Sequence, residues 1–107
     1  MLPRNRISTH PGEIVQENMD ALGWDVETFA NRLGIDEALL RSIINANHPI
    51  TADVSIRLAK LFNVDPRFYM NMQSAYDITV CMNNAGHHYD RVMPLTDGER
   101  AEEWKTL

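Results

Sequence analysis

The sequence predicts an all-α fold of five short helices followed by a C-terminal extension. Apolar residues recur at intervals of three and four, and residues that favour helix ends flank these runs. No alternating strand pattern of comparable strength occurs before Ile78. The chain has 107 residues, which fits one small domain, and its hydrophobic fraction of 44% is typical of a folded protein. We divide it into an N-terminal arm (1–10), a helical domain (11–80) and a C-terminal extension (81–107).

The first two helices are recognised by their ends. Pro11 suits the first turn of a helix, because its missing N–H would have no partner there, and Gly23 ends that helix. Asp25 is a good N-cap for the second helix, which ends at Gly34. The residues expected inside share one face of each helix: Val15, Met19 and Leu22 in the first, and Phe29, Ala30 and Leu33 in the second.

The next three helices begin at residues that favour helix starts. These are Asp36, Thr51 and Asp65, the last followed by Pro66 at the first helical position. Cys81, near the end of the fifth helix, is expected to be a small core residue. The other residues expected inside are Leu40, Ile43 and Ile44 in the third helix, Val54, Leu58, Leu61 and Phe62 in the fourth, and Phe68, Met72 and Tyr76 in the fifth.

The fifth helix carries more large side chains than one helix face can bury. They are Phe68, Tyr69, Met70, Met72 and Tyr76. Some belong to the core, and the rest suit a homodimer interface or a groove for a protein partner, because Met and aromatic residues are favoured at such surfaces. The alternative is that all five lie in the core.

The extension after Val80 has a weaker pattern. A short strand or an extended arm is expected among three of its residues, Tyr89, Val92 and Met93. The spacing of Thr96 and Glu99 is that of a capping box at the start of a terminal helix. This end of the chain is acidic, so it is our candidate contact to a basic partner. Trp104 either anchors that contact or packs back on its own core.

Composition excludes several classes of protein. The net charge of −5 argues against a non-specific nucleic-acid coat and suits a basic partner. No window contains the roughly 18 unbroken apolar residues that a membrane span needs, and the start has no apolar signal core. The single cysteine, Cys81, excludes an internal disulfide. We therefore expect a cytoplasmic protein.

The sequence contains no recognisable catalytic or cofactor motif. It has no glycine-rich phosphate loop, and His10 and His48 lack a Ser or Cys partner in any known arrangement. Adjacent histidines without a second paired cluster rarely form a metal site, which applies to the group His87, His88 and Asp90. We expect neither an enzyme nor a bound cofactor or metal.

The stretch from Phe29 to Thr51 has the spacing of a helix-turn-helix. Ala30 is the small residue where two helices touch, and Gly34 permits the left-handed turn between them. Apolar anchors for the second helix follow at fixed offsets: Ile35, Leu40 and Ile43. On this local pattern alone, an ordinary helical hairpin with a glycine turn is the alternative.

Longer segments give a more specific signal. "HPGEI", "FANRLGI", "ITADVSIRLAKLF" and "FYMNMQSAYD" closely resemble the HigA/VapI antitoxin family over residues 10–78. This family belongs to the lambda-repressor-like, or XRE-type, helix-turn-helix group. The resemblance implies a five-helix lambda-repressor-like domain that acts as a homodimer. It also implies two partners: double-stranded operator DNA, bound to repress the protein's own operon, and a ribosome-dependent, mRNA-cleaving toxin of the RelE fold.

The resemblance places the DNA-binding positions on the third helix and in the loop that follows it. Its base-reading positions fall on Asp36, Glu37, Ala38 and Leu39. The residues that we assign to DNA contact are Glu37, Ala38, Arg41, Ser42, Asn45, Asn47 and Thr51. Arg41 can donate to guanine or to a phosphate, and Glu37 can accept from a cytosine amino group. The other polar side chains suit phosphate oxygens. Arg4 and Arg6 lie on an arm that could reach the adjacent backbone.

Several positions depart from the family pattern. Val26 stands where a phosphate-binding Gln is common, and "NANHPIT" replaces "NGKRPIT", so Asn47 and His48 stand in place of a basic pair. From residue 26 to 45 there are three acids and two arginines, a net charge of −1. The helix end that would enter the groove carries two of those acids, Asp36 and Glu37. We therefore expect DNA binding that is weak, sensitive to salt or narrowly specific.

Two other functions stay open on the sequence. One alternative to the antitoxin is a protein-binding module that kept the fold and lost DNA binding, and the other is a stand-alone phage- or plasmid-type repressor without a toxin. The neighbouring reading frame distinguishes them, because a small basic protein encoded there favours the toxin pairing.

Overall fold

The computed structural model describes residues 9–99, without the side chain of His87. Within this range it contains α1 (Pro11–Leu22), α2 (Val26–Leu33), α3 (Glu37–Ile44), α4 (Ala52–Phe62) and α5 (Arg67–Tyr89), and a short 3-10 helix follows at Asp97–Glu99. The all-α prediction is confirmed. Arg4 and Arg6 of the predicted arm, and Trp104 of the predicted terminal helix, lie outside the described residues.

The helix starts fall where the capping residues predict them. The Asp25 carboxylate accepts a hydrogen bond from the Thr28 N–H at 2.8 Å, and the Thr51 hydroxyl accepts from the Val54 N–H at 3.3 Å. Asp36 stands immediately before α3, but its side chain makes no capping hydrogen bond. The expectation that this carboxylate is occupied as a cap is therefore wrong, and the carboxylate stays exposed.

The core is an apolar cluster to which all five helices and the loop before α4 contribute. Its most deeply buried members are Val15, Phe29, Leu40, Ile43, Ile50, Val54 and Leu58. Full burial of each such side chain stabilises the fold by about 1.5–3 kcal/mol. Leu22, expected inside, is 41% exposed, so that prediction is wrong. Five others expected inside are only half-buried: Ile44, Leu61, Phe62, Met72 and Tyr76.

Helix α5 turns a different face to the core from the one predicted. Tyr69 and Gln73 are buried, whereas Phe68 is 49% exposed, so the alternative that all five large side chains lie in the core is wrong. The Tyr69 hydroxyl accepts a hydrogen bond from the Asn18 amide at 2.8 Å. The Gln73 side-chain oxygen accepts from the buried Ile50 N–H at 2.7 Å. Two polar groups are therefore buried because each has a partner.

The second half of α5 leaves the core. No described residue after Gln73 is buried, and Cys81 is exposed, so the expectation that Cys81 is a core residue is wrong. The helix bends at Ala85, whose φ of −141° is not helical. Neither α5 nor any other helix in the described part of the chain combines the length and apolar character needed to cross a membrane.

The C-terminal segment is not a strand. Tyr89 is the last residue of α5, and Val92 and Met93 are exposed in irregular backbone, so the predicted short strand is wrong. The Thr96 N–H donates to the Glu99 carboxylate at 2.9 Å, which is one half of the predicted capping box. The boundary proposed at residue 80 stays a prediction, because α5 runs across it.

Candidate nucleic-acid interface

The turn between α2 and α3 is fixed by its backbone and by α4. Gly34 has φ 73°, a conformation that favours glycine, and its N–H donates to the Ala30 carbonyl at 2.8 Å. Arg57 of α4 donates through Nη1 to the carbonyls of Leu33 and Gly34, at 2.9 and 3.2 Å. Its Nε donates to Asp53 at 3.0 Å. Arg57 was not among the predicted functional residues, although its position four residues after Asp53 was a signal for an ion pair on a helix.

The N-terminus of α1 supports the far end of α3. Leu40 and Ile43 anchor the inner face of α3 in the core. Gly12 lies so close to this helix that a Cβ on Gly12 would be 1.9 Å from the Ile43 carbonyl oxygen. Only glycine leaves room for this approach. Gly12 was not among the predicted functional residues, although a glycine in the first turn of a helix was a signal, since glycine is unfavourable inside helices.

His10 completes this support. Its Nδ1 accepts a hydrogen bond from the Gly12 N–H at 2.9 Å, which caps α1, and its ring meets Tyr76 of α5 edge-to-face at 4.8 Å. Burial lowers the pKa of His10 below the usual 6.5, although the nearby carboxylates of Asp77 and Glu13 act in the opposite direction. The neutral imidazole therefore links α1 to α5 beneath the end of α3.

The outer face of α3 contains most of the predicted DNA-binding residues. Glu37, Ala38, Arg41 and Asn45 are exposed, and their helical spacing brings them to one face. Ser42 lies at the margin of that face and is half-buried. The structure therefore gathers these five side chains around a single exposed surface.

The last two predicted residues lie in the loop between α3 and α4. Asn47 is exposed, and its N–H donates to the Ser42 carbonyl at 2.8 Å. Ala46 before it has φ 62°, a left-handed conformation that is uncommon for a residue with a side chain. Thr51 is exposed, and its hydroxyl oxygen already accepts from Val54. This tight loop holds Asn47 next to α3, whereas Thr51 caps α4, and the assignment of all seven residues to DNA contact stays a prediction.

The arginines of this region are already engaged. The Nη2 and Nε groups of Arg41 donate to Oε1 of Glu37 at 2.7 and 3.2 Å, although both side chains are more than 40% exposed. Arg32 lies over the Trp24 ring, 4.8 Å from its centroid. With Arg57 bound to Asp53, the surface offers few free positive charges to a phosphate backbone.

The predicted absence of a metal site concerns residues near the end of α5. Leaving aside the side chain of His87, the structure between residues 9 and 99 brings together no three His, Cys, Asp or Glu side chains that could hold a metal ion. His88 and Asp90 are both exposed there.

Comparison with known proteins agrees with this architecture. Residues 15–69, more than half of the chain, match the family model described as a helix-turn-helix. The virulence-associated protein A′ of Dichelobacter nodosus is 35% identical over 71 residues, which are 65% of this chain and 62% of that protein's length. A HigA-family addiction module antidote protein of Coxiella burnetii is 35% identical with a TM-score of 0.80, over 84% of this chain and all of that one. The chain belongs to the HigA family of helix-turn-helix proteins.

A second solved HigA protein was determined with DNA. The antitoxin HigA of Pseudomonas aeruginosa, solved with the higBA promoter, is 28% identical to this chain. The TM-score is 0.78, and the match covers 82% of this chain and 98% of that protein. The HigA fold of the present chain is therefore one that another family member uses in the presence of promoter DNA.

Proposed function

We propose that this HigA-family protein is an antitoxin that also represses its own operon. As a homodimer it binds double-stranded operator DNA through α3. It also binds and neutralises a ribosome-dependent, mRNA-cleaving toxin of the RelE fold. The observation that carries the DNA-binding part is the exposed face of α3, with Arg41 at its centre and Leu40 and Ile43 holding the opposite face in the core.

The chemistry of α3 suits the major groove. Arg41 is the main charged donor, to guanine or to phosphate, and Glu37 can accept from a cytosine amino group. The methyl group of Ala38 suits contact with a thymine methyl. Four polar side chains then donate to or accept from the backbone at the edges: Ser42, Asn45, Asn47 and Thr51.

The negative charges at the start of α3 and the net charge of the whole chain weaken binding to any DNA that lacks the operator sequence. Asp36 and Glu37 lie at the start of α3, where each faces the phosphates on entering the groove. The whole chain has a net charge of −5, so it neutralises few phosphates, and its affinity for non-specific DNA is low. Affinity for operator DNA then depends on a small number of well-aligned contacts, doubled by the two subunits of a dimer.

The surfaces for the second subunit and the toxin lie away from α3. The helix α5 and the segment after it expose large apolar side chains that a lone small protein rarely leaves uncovered. They are Phe68, Ile78, Met82, Val92 and Met93. We assign the homodimer to the region after Asp65 and the toxin to surfaces outside α3, because an antitoxin can then repress while it is bound to its toxin.

A reporter assay in cells tests this function. The DNA upstream of the gene is fused to a reporter, and expression of the protein is expected to lower its signal. Arg41→Ala is expected to restore the signal, whereas Lys60→Ala, which removes an exposed positive charge on α4, leaves repression intact. Growth rescue on co-expression with the small basic protein encoded next to the gene tests neutralisation.

The outcomes separate the proposed function from its rivals. Repression without neutralisation of the neighbouring product means a stand-alone repressor. Neutralisation without repression means a protein-binding module that has lost DNA binding.

A further inference from the structure

The hydrogen bonds between Glu37 and Arg41 divide the arginine into a used edge and an open edge. A guanidinium has a side edge, formed by Nε and Nη2, and a terminal edge, formed by Nη1 and Nη2. Oε1 of Glu37 accepts from Nε at 3.2 Å and from Nη2 at 2.7 Å, so it occupies the side edge. Among the described residues, Nη1 of Arg41 has no hydrogen-bond partner. The terminal edge is therefore open to solvent at the exposed face of α3.

We infer that Glu37 is the positioning residue that aims the terminal edge of Arg41 at a guanine, and that this pair determines the base specificity of α3. The inference rests on the proposed DNA-binding function. Two parallel N–H donors fit the O6 and N7 acceptors of guanine in the major groove. Because Glu37 holds the side chain in one orientation before binding, less side-chain entropy is lost when the two hydrogen bonds form.

The other helical arginine–carboxylate pair of the domain has a different role. Asp53 and Arg57 of α4 also stand four residues apart and pair through Nε at 3.0 Å. Nη1 of Arg57, however, donates to the carbonyls of Leu33 and Gly34. That terminal edge is consumed within the fold, so Arg57 stabilises the turn. In α3 the same atom is free, and it lies on the surface that enters the groove.

The charge of Glu37 also rejects the wrong DNA. A carboxylate on the groove-facing helix is repelled by phosphates on every sequence, whereas the two bonds from Arg41 to guanine form at particular sequences only. Oε2 of Glu37 has no hydrogen-bond partner among the described residues, so it can accept from the amino group of a neighbouring cytosine. Each half-site is therefore expected to contain a guanine for Arg41 beside a cytosine amino group for Glu37.

Selection from a random-sequence DNA duplex pool at low salt tests the inference. The full-length parent is expected to enrich a guanine at one position of each half-site, by roughly 5- to 150-fold over other bases. Glu37→Gln is expected to reduce that preference about fivefold or more and to bind the unselected pool more tightly, because one phosphate-repelling charge is lost. Arg41→Ala is expected to abolish the preference for guanine.

Asp65→Asn is the matched control. It removes one negative charge and also separates an arginine, Arg67, from its carboxylate, but it does so at the start of α5 rather than on α3. The control is expected to keep the parental guanine preference. Thermal unfolding of each variant shows that the comparison is between folded proteins, since both carboxylates are exposed.

The readouts separate the inference from the proposed function. If the parent selects a sequence and Glu37→Gln selects the same guanine with equal preference, Glu37 does not position Arg41 and the inference is overturned. The same conclusion follows if Asp65→Asn loses the preference as Glu37→Gln does. If the parent enriches no sequence at low salt, both the proposed DNA binding and the inference that rests on it fail.

Discussion

Two residues at the start of α1, His10 and Gly12, determine how this helix packs against the buried side of α3. Gly12 allows the backbone of α1 to approach the Ile43 carbonyl, and His10 caps the same helix through the Gly12 N–H. Neither residue lies on the exposed face of α3, yet Gly12 packs against the opposite side of that helix and His10 caps the helix to which Gly12 belongs. At the scale of single residues, the close packing of α1 on α3 depends on the absence of a Cβ at Gly12, and the cap of α1 depends on the neutral imidazole of His10.

Gly12→Ala is expected to destabilise the fold by about 1–3 kcal/mol, because the new methyl group would overlap a backbone oxygen that cannot rotate away. The midpoint of urea unfolding measures this loss. Gly86→Ala is the control, since a Cβ at Gly86 would meet no atom within 4 Å. A Gly12→Ala protein as stable as the parent would contradict the close approach of α1 and α3.

The stability of the fold is expected to fall as the pH drops below about 6.5, because of His10. Its folded pKa lies below 6.5, so the unfolded chain binds the proton more readily. The contribution of His10 to the free energy of unfolding is complete above pH 6.5. It is lost as the pH falls through the folded pKa, because protonation removes the acceptor for the Gly12 N–H. His10→Asn keeps a capping acceptor without a titrating group.

Urea unfolding of the parent and His10→Asn between pH 5 and pH 8 tests the role of His10, over about the range in which an unperturbed histidine titrates. The parent is expected to lose more stability than the variant on acidification. Parallel pH profiles would mean that His10 does not control this dependence.

At the scale of elements, the ends of α1 to α4 were readable from the sequence and the face of α5 was not. Asp25, Gly34 and Thr51 cap helix ends through hydrogen bonds to residues three or four positions away, so the local sequence predicts these helix ends. The burial of Tyr69 and Gln73 instead depends on partners 51 and 23 residues away in the chain. An apolar period of four cannot reveal such partners, and it selected a neighbouring face on which Met72 is only half-buried and Phe68 is exposed.

The candidate site was predicted in the same uneven way. The exposed face of α3 follows from helical spacing and from the resemblance to a known family. The spacing of four residues indicates that Glu37 and Arg41 can pair. It does not show that the carboxylate binds the Nε and Nη2 edge of the guanidinium, because that depends on the conformations of both side chains. The role of Arg57 at the α2–α3 turn depends on packing between two helices, which no local pattern contains.

Gln73→Leu is expected to destabilise the domain by about 1–3 kcal/mol, because it leaves the buried Ile50 N–H without an acceptor. Gln16→Leu is the control: its amide bonds to Asp20 at an exposed position, and the expected change is within about 0.5 kcal/mol. Urea unfolding compares the two variants. Equal losses would show that the bond between Gln73 and Ile50 does not hold α5 to the domain.

At the scale of the whole molecule, the most exposed large apolar side chains lie on the second half of α5 and on the segment after it. All five helices contribute to the core, but the second half of α5 leaves it and exposes apolar side chains. Ile78 is 60% exposed and Met82 is 63% exposed, and with Cys81 and Tyr89 they line an open apolar groove of about 430 Å³. Such a surface is expected to be covered in solution by a second subunit.

A protein with Ile78→Asp and Met82→Asp is expected to be monomeric at micromolar concentration, whereas the parent is expected to be a dimer. Dimer formation would bury the two introduced carboxylates, and the loss of their hydration would oppose it. Light scattering measures the mass, and Ile56→Asp, on the exposed side of α4, is the control that keeps the dimer. A monomeric parent would contradict the assignment of the dimer to this region.

The central claim is that α3 reads DNA through Arg41, and its most direct test is the affinity for duplex DNA as a function of salt. The parent and Arg41→Ala are titrated with the DNA upstream of the gene and with random duplex, between about 50 and 200 mM salt. The parent is expected to prefer its upstream DNA at low salt and to lose affinity steeply as salt rises. Arg41→Ala should lose about 1–3 kcal/mol for each base contact removed. Equal affinity of the parent for both duplexes at low salt would contradict the claim.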